Sequence, residues 1–167
     1  MKVIRLIYLA LITAAVAACS GSAEPTDNPP STTTAPLKAA YIREADAICA
    51  AVHREAQAVP TPSSKVEAVA ALKQEAGIVA RAVDKLSKLH PPPGDEQVIQ
   101  KRLIQSNKVL ATAYARQAAA GEAALRAHDR RGVDRVLAKA ESASAAPELA
   151  EAYDFANAYG FKECAGK

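Results

Sequence analysis

From Pro36 onward the apolar positions recur at steps of three and four, the period of a helix with one covered face. Tyr41, Ala45, Ile48, Val52, Ala56 and Val59 mark a first helix that ends before Pro60. Past Pro62, with Ser63 or Ser64 as cap, the stripe Val66, Val69, Leu72, Ala76, Val79, Val83, Leu86 and Leu89 is the most regular in the chain. His90-Pro91-Pro92-Pro93-Gly94 stops it, because consecutive prolines lack amide donors and bar the helical conformation of the residues before them. Asp95 and Glu96 open a third helix with charges that suit its dipole. It carries Ile99, Leu103, Leu110, Tyr114, Ala118, Gly121 and Leu125 inward and turns near His128 to Gly132. A fourth stretch, 133–159, turns Val136, Leu137, Ala140, Leu149, Ala152, Tyr153, Ala156 and Tyr159 inward, with Ser142 to Pro147 as the place where it kinks or breaks. Four helices with short connections pack by default as an up-and-down bundle. The expected fold class is therefore all-α, an antiparallel four-helix bundle.

The first residues follow a different pattern. Lys2 and Arg5 precede about eleven apolar residues from Leu6 to Val16, and the run Val16-Ala17-Ala18-Cys19 closes the segment. That core falls short of the roughly 20 apolar residues a permanent span needs, so it reads as a signal to be removed. A cysteine at this point is the mark of a lipoprotein signal, with cleavage before Cys19 and lipid on its sulfur. Each buried methylene contributes about 0.8 kcal/mol, so two or three acyl chains hold firmly. Ordinary secretion is the competing reading, since Ala15-Val16-Ala17 also fits a cleavage site. The organisation expected is a signal over 1–18, a lipidated Cys19 with a Pro/Ser/Thr linker over 19–36, and a helical domain over 37–167. The linker cannot bury enough apolar surface to order itself, and reaches roughly 55 Å at full stretch. Thr32, Thr33 and Thr34 beside Pro36 are candidates for O-linked sugar, against a plain polar spacer. The expected location is the extracytoplasmic face of the cell membrane.

Assigning Cys19 to lipid leaves Cys49 and Cys164, which pair in an oxidising compartment. Two separate buried thiols are the alternative; a redox-active pair lacks a C-x-x-C. At 1.5 Å per residue, Cys49 lies about 15 Å below the first turn, whereas a straight fourth helix carries Gly160 about 30 Å below it. The cysteines meet if the chain reverses at Gly160, where glycine takes the left-handed cap, and climbs about 13 Å back. A kink at Pro147 is the other route. Either way the tail from Tyr159 to Cys164 is expected to be docked, with Phe161 packed on the bundle.

Tyr41-Ile42-Arg43-Glu44-Ala45-Asp46-Ala47-Ile48-Cys49, Leu86-Ser87-Lys88-Leu89-His90-Pro91-Pro92 and the closing Tyr159-Gly160 to Cys164 together resemble small helical lipoproteins of actinobacteria. The resemblance spans the domain. It implies a helical fold, a disulfide and a membrane address, and implies no activity.

Charge and chemistry narrow the function. The chain has 21 basic and 18 acidic residues, and loss of Lys2 and Arg5 with the signal leaves it near neutral. Its basic residues are interspersed with acidic ones, so no nucleic-acid partner is expected. Alanine makes up about a quarter of the chain, which favours helices and close axes but thins the core. His53, His90 and His128 occupy three helix ends, with His90 at the end opposite the other two, so the three do not converge on a metal. His53 and His128 with Asp129 make at best a weak site, and solvated histidines are the ordinary reading. No Glu-x-x-His pair for a di-iron bundle is present, and the single methionine is Met1, so no metal or cofactor is expected. Glu44 and Asp46 beside Cys49 read as a solvated face in preference to catalytic carboxylates. There is no G-x-S-x-G, H-E-x-x-H or phosphate-cradling loop, and an enzyme is not expected. Arg116, Gln117, Glu122 and Arg126 rule out a membrane span over 109–127.

These readings favour a non-catalytic interaction module of the cell envelope, held to the membrane by lipid on Cys19 and offering a helical face to an envelope protein. Ala115 to Ala127 is the candidate face, or else a packed internal seam. The alternative is a carrier whose bundle holds a hydrophobic small molecule. A continuous apolar cavity favours the carrier, and a packed core favours the module.

Overall fold

A computed structural model of the chain describes residues 34–166. The expected signal peptide, Cys19 and nearly all of the linker lie outside the described residues. Among the described residues the fold is all-helical, without strands, and is closed by the Cys49–Cys164 disulfide. Helix α1 runs Thr34–Gln57 and so begins three residues ahead of the expected domain boundary, taking Pro36 into its first turn. Helix α2 runs Lys65–Ser87. Its cap is Ser64, whose hydroxyl accepts from the Glu67 N–H at 3.2 Å, while the Glu67 carboxylate takes the Ser63 N–H at 2.6 Å. That exchange keeps the Glu67 carboxyl below the usual carboxylate range.

The expected third helix is one helical course in three parts: α3 at Glu96–Ile99, a π-helical turn at Gln100–Ile104, and α4 at Gln105–Arg126. The wide turn inserts an extra residue, so Ile99, Leu103 and Ile104 are all buried. The Asn107 side chain donates to the Leu103 carbonyl at 2.8 Å, within the first turn of α4. The fourth stretch breaks where its sequence is weakest, into α5 at Arg130–Ser144 and α6 at Pro147–Tyr159. Pro147 sits at the start of α6, where a missing amide costs nothing. Asp129 caps α5 by accepting from Gly132 N–H at 2.8 Å, and a side chain at Gly132 would collide with that carboxylate.

Two core clusters result. Leu72, Ala76, Tyr114, Ala118, Val136 and Ala140 join α2, α4 and α5. Tyr41, Ala45, Leu86, Ile99, Leu103, Ile104, Ala156, Phe161 and Cys164 join α1, the end of α2, the α3 corner, α6 and the tail. Two inward assignments are corrected. Val66 is 61% exposed, and α2 instead buries Ala68, Ala71, Ile78 and Ala82 beside Val69, Leu72, Ala76 and Leu86. The reason is that α2 touches α1 and α5 as well as α4, so more than one row of its surface is covered, and Val66 lies outside those rows. Tyr153 is 40% exposed, its ring lying along the C-terminal end near Gly166. No described helix is long and apolar enough to cross a membrane.

Candidate functional site

The C-terminal tail is built from one glycine and one carboxylate. Gly160 ends α6 at φ 109°, a conformation that costs glycine nothing. Its N–H reaches Asn157 O at 3.1 Å, and the Phe161 N–H reaches Ala156 O at 3.0 Å, which closes the helix end and reverses the chain. The Asp46 carboxylate then accepts the backbone N–H groups of Lys162 at 3.0 Å and Cys164 at 3.1 Å. Cys164 is bonded to Cys49 across 115 residues. The break ahead of Pro147 and the Gly160 reversal both lie on the path that brings Cys164 to Cys49, so the two expected routes occur together. Phe161, 2% exposed, lies edge-on to Tyr41 at 6.0 Å and stacks on Tyr159 at 5.1 Å.

Tyr159 ties this tail to the α3 corner. Its hydroxyl donates to Asp95 Oδ2 at 2.5 Å, and Lys38 Nζ lies 3.9 Å from its ring centre. Burial, and then the bond to Asp95 and that carboxylate's charge, hold the Tyr159 hydroxyl well above its ordinary value.

Beside these rings lie two clefts. One, about 430 Å³, is walled by Tyr41, Leu86, Leu89, Pro91, Ile99 and Ile104, with Ser87, Glu96, Gln97 and Gln100 among its polar groups. The other, about 520 Å³, shares Tyr41, Leu89 and Pro91 and adds Leu37, Ala40, Glu44, Lys88, His90, Pro92 and Pro93. Tyr41 is 3% exposed, and its enclosed hydroxyl has no hydrogen-bond partner among the described residues. Burial pushes that hydroxyl up to about 12, so it keeps its proton and remains a donor at neutral pH. The Glu96 carboxylate takes the Gly94 N–H at 2.8 Å and so also braces the proline corner.

No family model, no curated protein and no solved structure matches this chain. Its site is therefore read from its own geometry.

The residues singled out from the sequence are placed as follows. Cys49 and Cys164 come together as expected, whereas Cys19 is outside the described residues. His53 stands against the tail, with Nδ1 3.5 Å from Glu163 Oε2; His90 lines the second cleft; His128 occupies the α4–α5 turn at φ 55°. Among the described residues no three His, Cys, Asp or Glu side chains group as metal ligands. The solvated-face reading of Glu44 and Asp46 holds for exposed Glu44 and is corrected for Asp46, which is half-buried beneath the tail. Within 115–127, Ala118 and Gly121 are packed, while Ala115, Ala119, Ala120 and Ala123 are exposed. An added Cβ at Gly121 would stand 2.9 Å from Val69 Cγ2 and 3.4 Å from Val136 Cγ1. That stretch is a seam on one side and an open surface of small residues on the other.

Asp46 and the Tyr41 hydroxyl escaped the sequence reading. Asp46 carries a signal, since it lies three residues before Cys49 and so shares the helix face that the pairing must cover. Tyr41 carries none, because an inward tyrosine reads as core whether or not its hydroxyl finds a partner.

Proposed function

We propose that this protein is a lipoprotein of the cell envelope, held at the extracytoplasmic face of the membrane by lipid on Cys19, and that its helical domain is a non-catalytic interaction module. The observation that carries this reading is the Cys49–Cys164 bond, because structural disulfides persist in oxidising compartments. The signal-like run over 1–19 and the resemblance to actinobacterial lipoproteins support the same address. The helices are read as an antiparallel bundle, supported by Val69 facing Gly121, and by Lys65 Nζ 2.6 Å from Asp134 and Lys73 Nζ 2.7 Å from Glu122. The surface offered to an envelope partner is the exposed side of α4, where Val109 at 57% exposure extends the alanine row Ala115, Ala119, Ala120 and Ala123.

Mass spectrometry of the membrane fraction tests the address: acylated Cys19 at the mature N-terminus is expected, and a soluble form beginning elsewhere overturns it. Crosslinking in intact cells from positions 119 and 123 tests the face. One discrete protein partner is expected, and adducts confined to lipid move the reading to a carrier.

That second reading, a carrier of a hydrophobic small molecule, is favoured by the clefts that share Tyr41. They open at the corner of α1, α2 and α3 and do not follow the α2–α4–α5 seam.

A further inference from the structure

Val66 is 61% exposed in the first turn of α2, a large apolar side chain that the core does not use. Just ahead of it the connection 58–64, Ala58-Val59-Pro60-Thr61-Pro62-Ser63-Ser64, carries no charge and leaves Ala58, Pro60, Thr61 and Ser63 exposed. The α4–α5 turn lies at the same end of the domain, because Lys65 Nζ reaches Asp134 at 2.6 Å. Val66 and Lys73 share one face of α2, Glu122 and Arg126 share one face of α4, and Lys73 pairs with Glu122 at 2.7 Å. Val66 and Arg126 therefore end the same side of the domain.

This end also holds a surplus of positive charge. Most of its carboxylates are paired inside the fold: Glu55 with Arg81 at 2.7 Å, Glu122 with Lys73, Asp129 with Arg135 at 3.3 Å and Asp134 with Lys65. Glu67 is held by Ser63 and keeps its charge. Against that one charge stand Arg54, Arg126, Arg130 and Arg131, all exposed, with no carboxylate in ion-pair range among the described residues. Arg130 and Arg131 do nothing for their own helix. They occupy the first turn of α5, which has no acidic residue, and cations there oppose the helix dipole.

We propose that this end of the domain docks on an anionic phospholipid surface, with Arg126, Arg130 and Arg131 against the headgroups and Val66 entering the boundary beside them. The envelope reading above supplies the bilayer, and the proposal rests on it for that alone. Arginines gain from the potential of an anionic surface, and an apolar residue among them gains from the acyl boundary, which an acidic protein does not offer. The tether permits the posture. Helix α1, 24 residues long, carries the docking end about 36 Å from Thr34. Thr34 follows Cys19 by 15 residues, a reach of roughly 50 Å at full stretch. Docked in this way, α4 rises from the surface and holds Val109 about 25 Å from Arg126.

The test uses the full chain in nanodiscs of phosphatidylcholine, with or without phosphatidylglycerol, with gadolinium chelated at the headgroups and 13C-methyl labels read at Val59, Val66 and Val109. Relaxation enhancement at Val66 is expected to be about fivefold or more larger in the anionic discs, and to fall at about 1 M salt, where charges are screened beyond about 3 Å. Val109 is expected to change little. Arg126→Gln with Arg130→Gln and Arg131→Gln is expected to return Val66 to its value in neutral discs. Val66→Ser is expected to weaken docking, read at Val59, while leaving its dependence on lipid charge. All four positions are exposed, so circular dichroism is expected to stay unchanged. Equal enhancement at Val66 in both discs, or an enhancement that survives the triple substitution, overturns the proposal. So does a Val66 signal that answers only to added unlabelled chain, which assigns this end to the acidic face of α6, Glu148, Glu151 and Asp154, on a second copy. Absence of acylated Cys19 in cells overturns the address and leaves the result in the discs standing.

Discussion

Between α2, α4 and α5 the buried side chains are Leu72, Ala76, Tyr114, Ala118, Val136 and Ala140, half of them alanine. At the α1–α3–α6 corner they include Tyr41, Ile99, Leu103, Ile104 and Phe161, with Tyr159 packed against them. The first region gains its contacts by bringing helix axes close, as the fit of Val69 over Gly121 shows. The second is filled by rings and tied by links between distant parts of the chain: a disulfide, Asp46 to the tail, and Tyr159 to Asp95. Small residues thus suffice where neighbouring helices lie flat on one another. Where short elements and the tail meet, large side chains and covalent closure replace them.

Removing the staple is the strongest way to break that contrast. With a sequence separation of 115, Cys49→Ser with Cys164→Ser is expected to lose about 4 to 5 kcal/mol in the chain-entropy account, a large share of a small domain's stability. Denaturant midpoints with and without reductant measure the loss, and hydrogen exchange should rise in α1 and α6 before α4. Equal loosening of both regions would show that they unfold as one unit. Phe161→Ala comes next, at about 3 to 4 kcal/mol, because it empties the centre of the corner while leaving the disulfide in place. Native-state proteolysis should then cut near the tail, and an unchanged midpoint would mean the staple alone holds it.

In the layer, Gly121→Val is expected to cost about 1 to 3 kcal/mol by pushing α2 from α4, since even a Cβ meets Val69 at 2.9 Å. A neutral result by thermal melting would show that Val69 turns aside, and that closeness is not what stabilises this region. The last effect is alkaline. The Tyr41 hydroxyl is raised in the folded state to about 12, from an ordinary value of 10.0, so its contribution is complete below about pH 10 and is lost as pH rises toward 12. Tyr159 shifts the same way. Near-UV circular dichroism followed with tyrosinate absorbance should show the corner loosening in that window, and Tyr41→Phe should flatten the response.

How far the chain could be read in advance follows the same division. Helix periods, the proline stops, the break at Pro147, the Gly160 reversal and the cysteine pair were all legible, because each rests on residues whose backbone preference or covalent chemistry is local or countable. The stripe of α2 was legible only in part. Apolar periodicity names one covered face, and Ala68, Ala71 and Ala82 are covered because further helices lie against α2, which spacing does not announce. The π-helical turn was invisible, since Ile99, Leu103 and Leu110 fit a regular helix nearly as well as the wider one. Of the candidate site, Phe161 was expected at its place. Asp46 and the unpaired Tyr41 hydroxyl were not, because both depend on what the far end of the chain brings beside α1.

The bond between Cys49 and Cys164 also decides what a protease can detach. A cut in the connection 58–64, or at any other point between the two cysteines, leaves both fragments joined through sulfur. Shedding of the domain from whatever holds its N-terminus therefore requires cleavage ahead of Cys49. Within α1 that leaves the residues from Thr34 to Ile48.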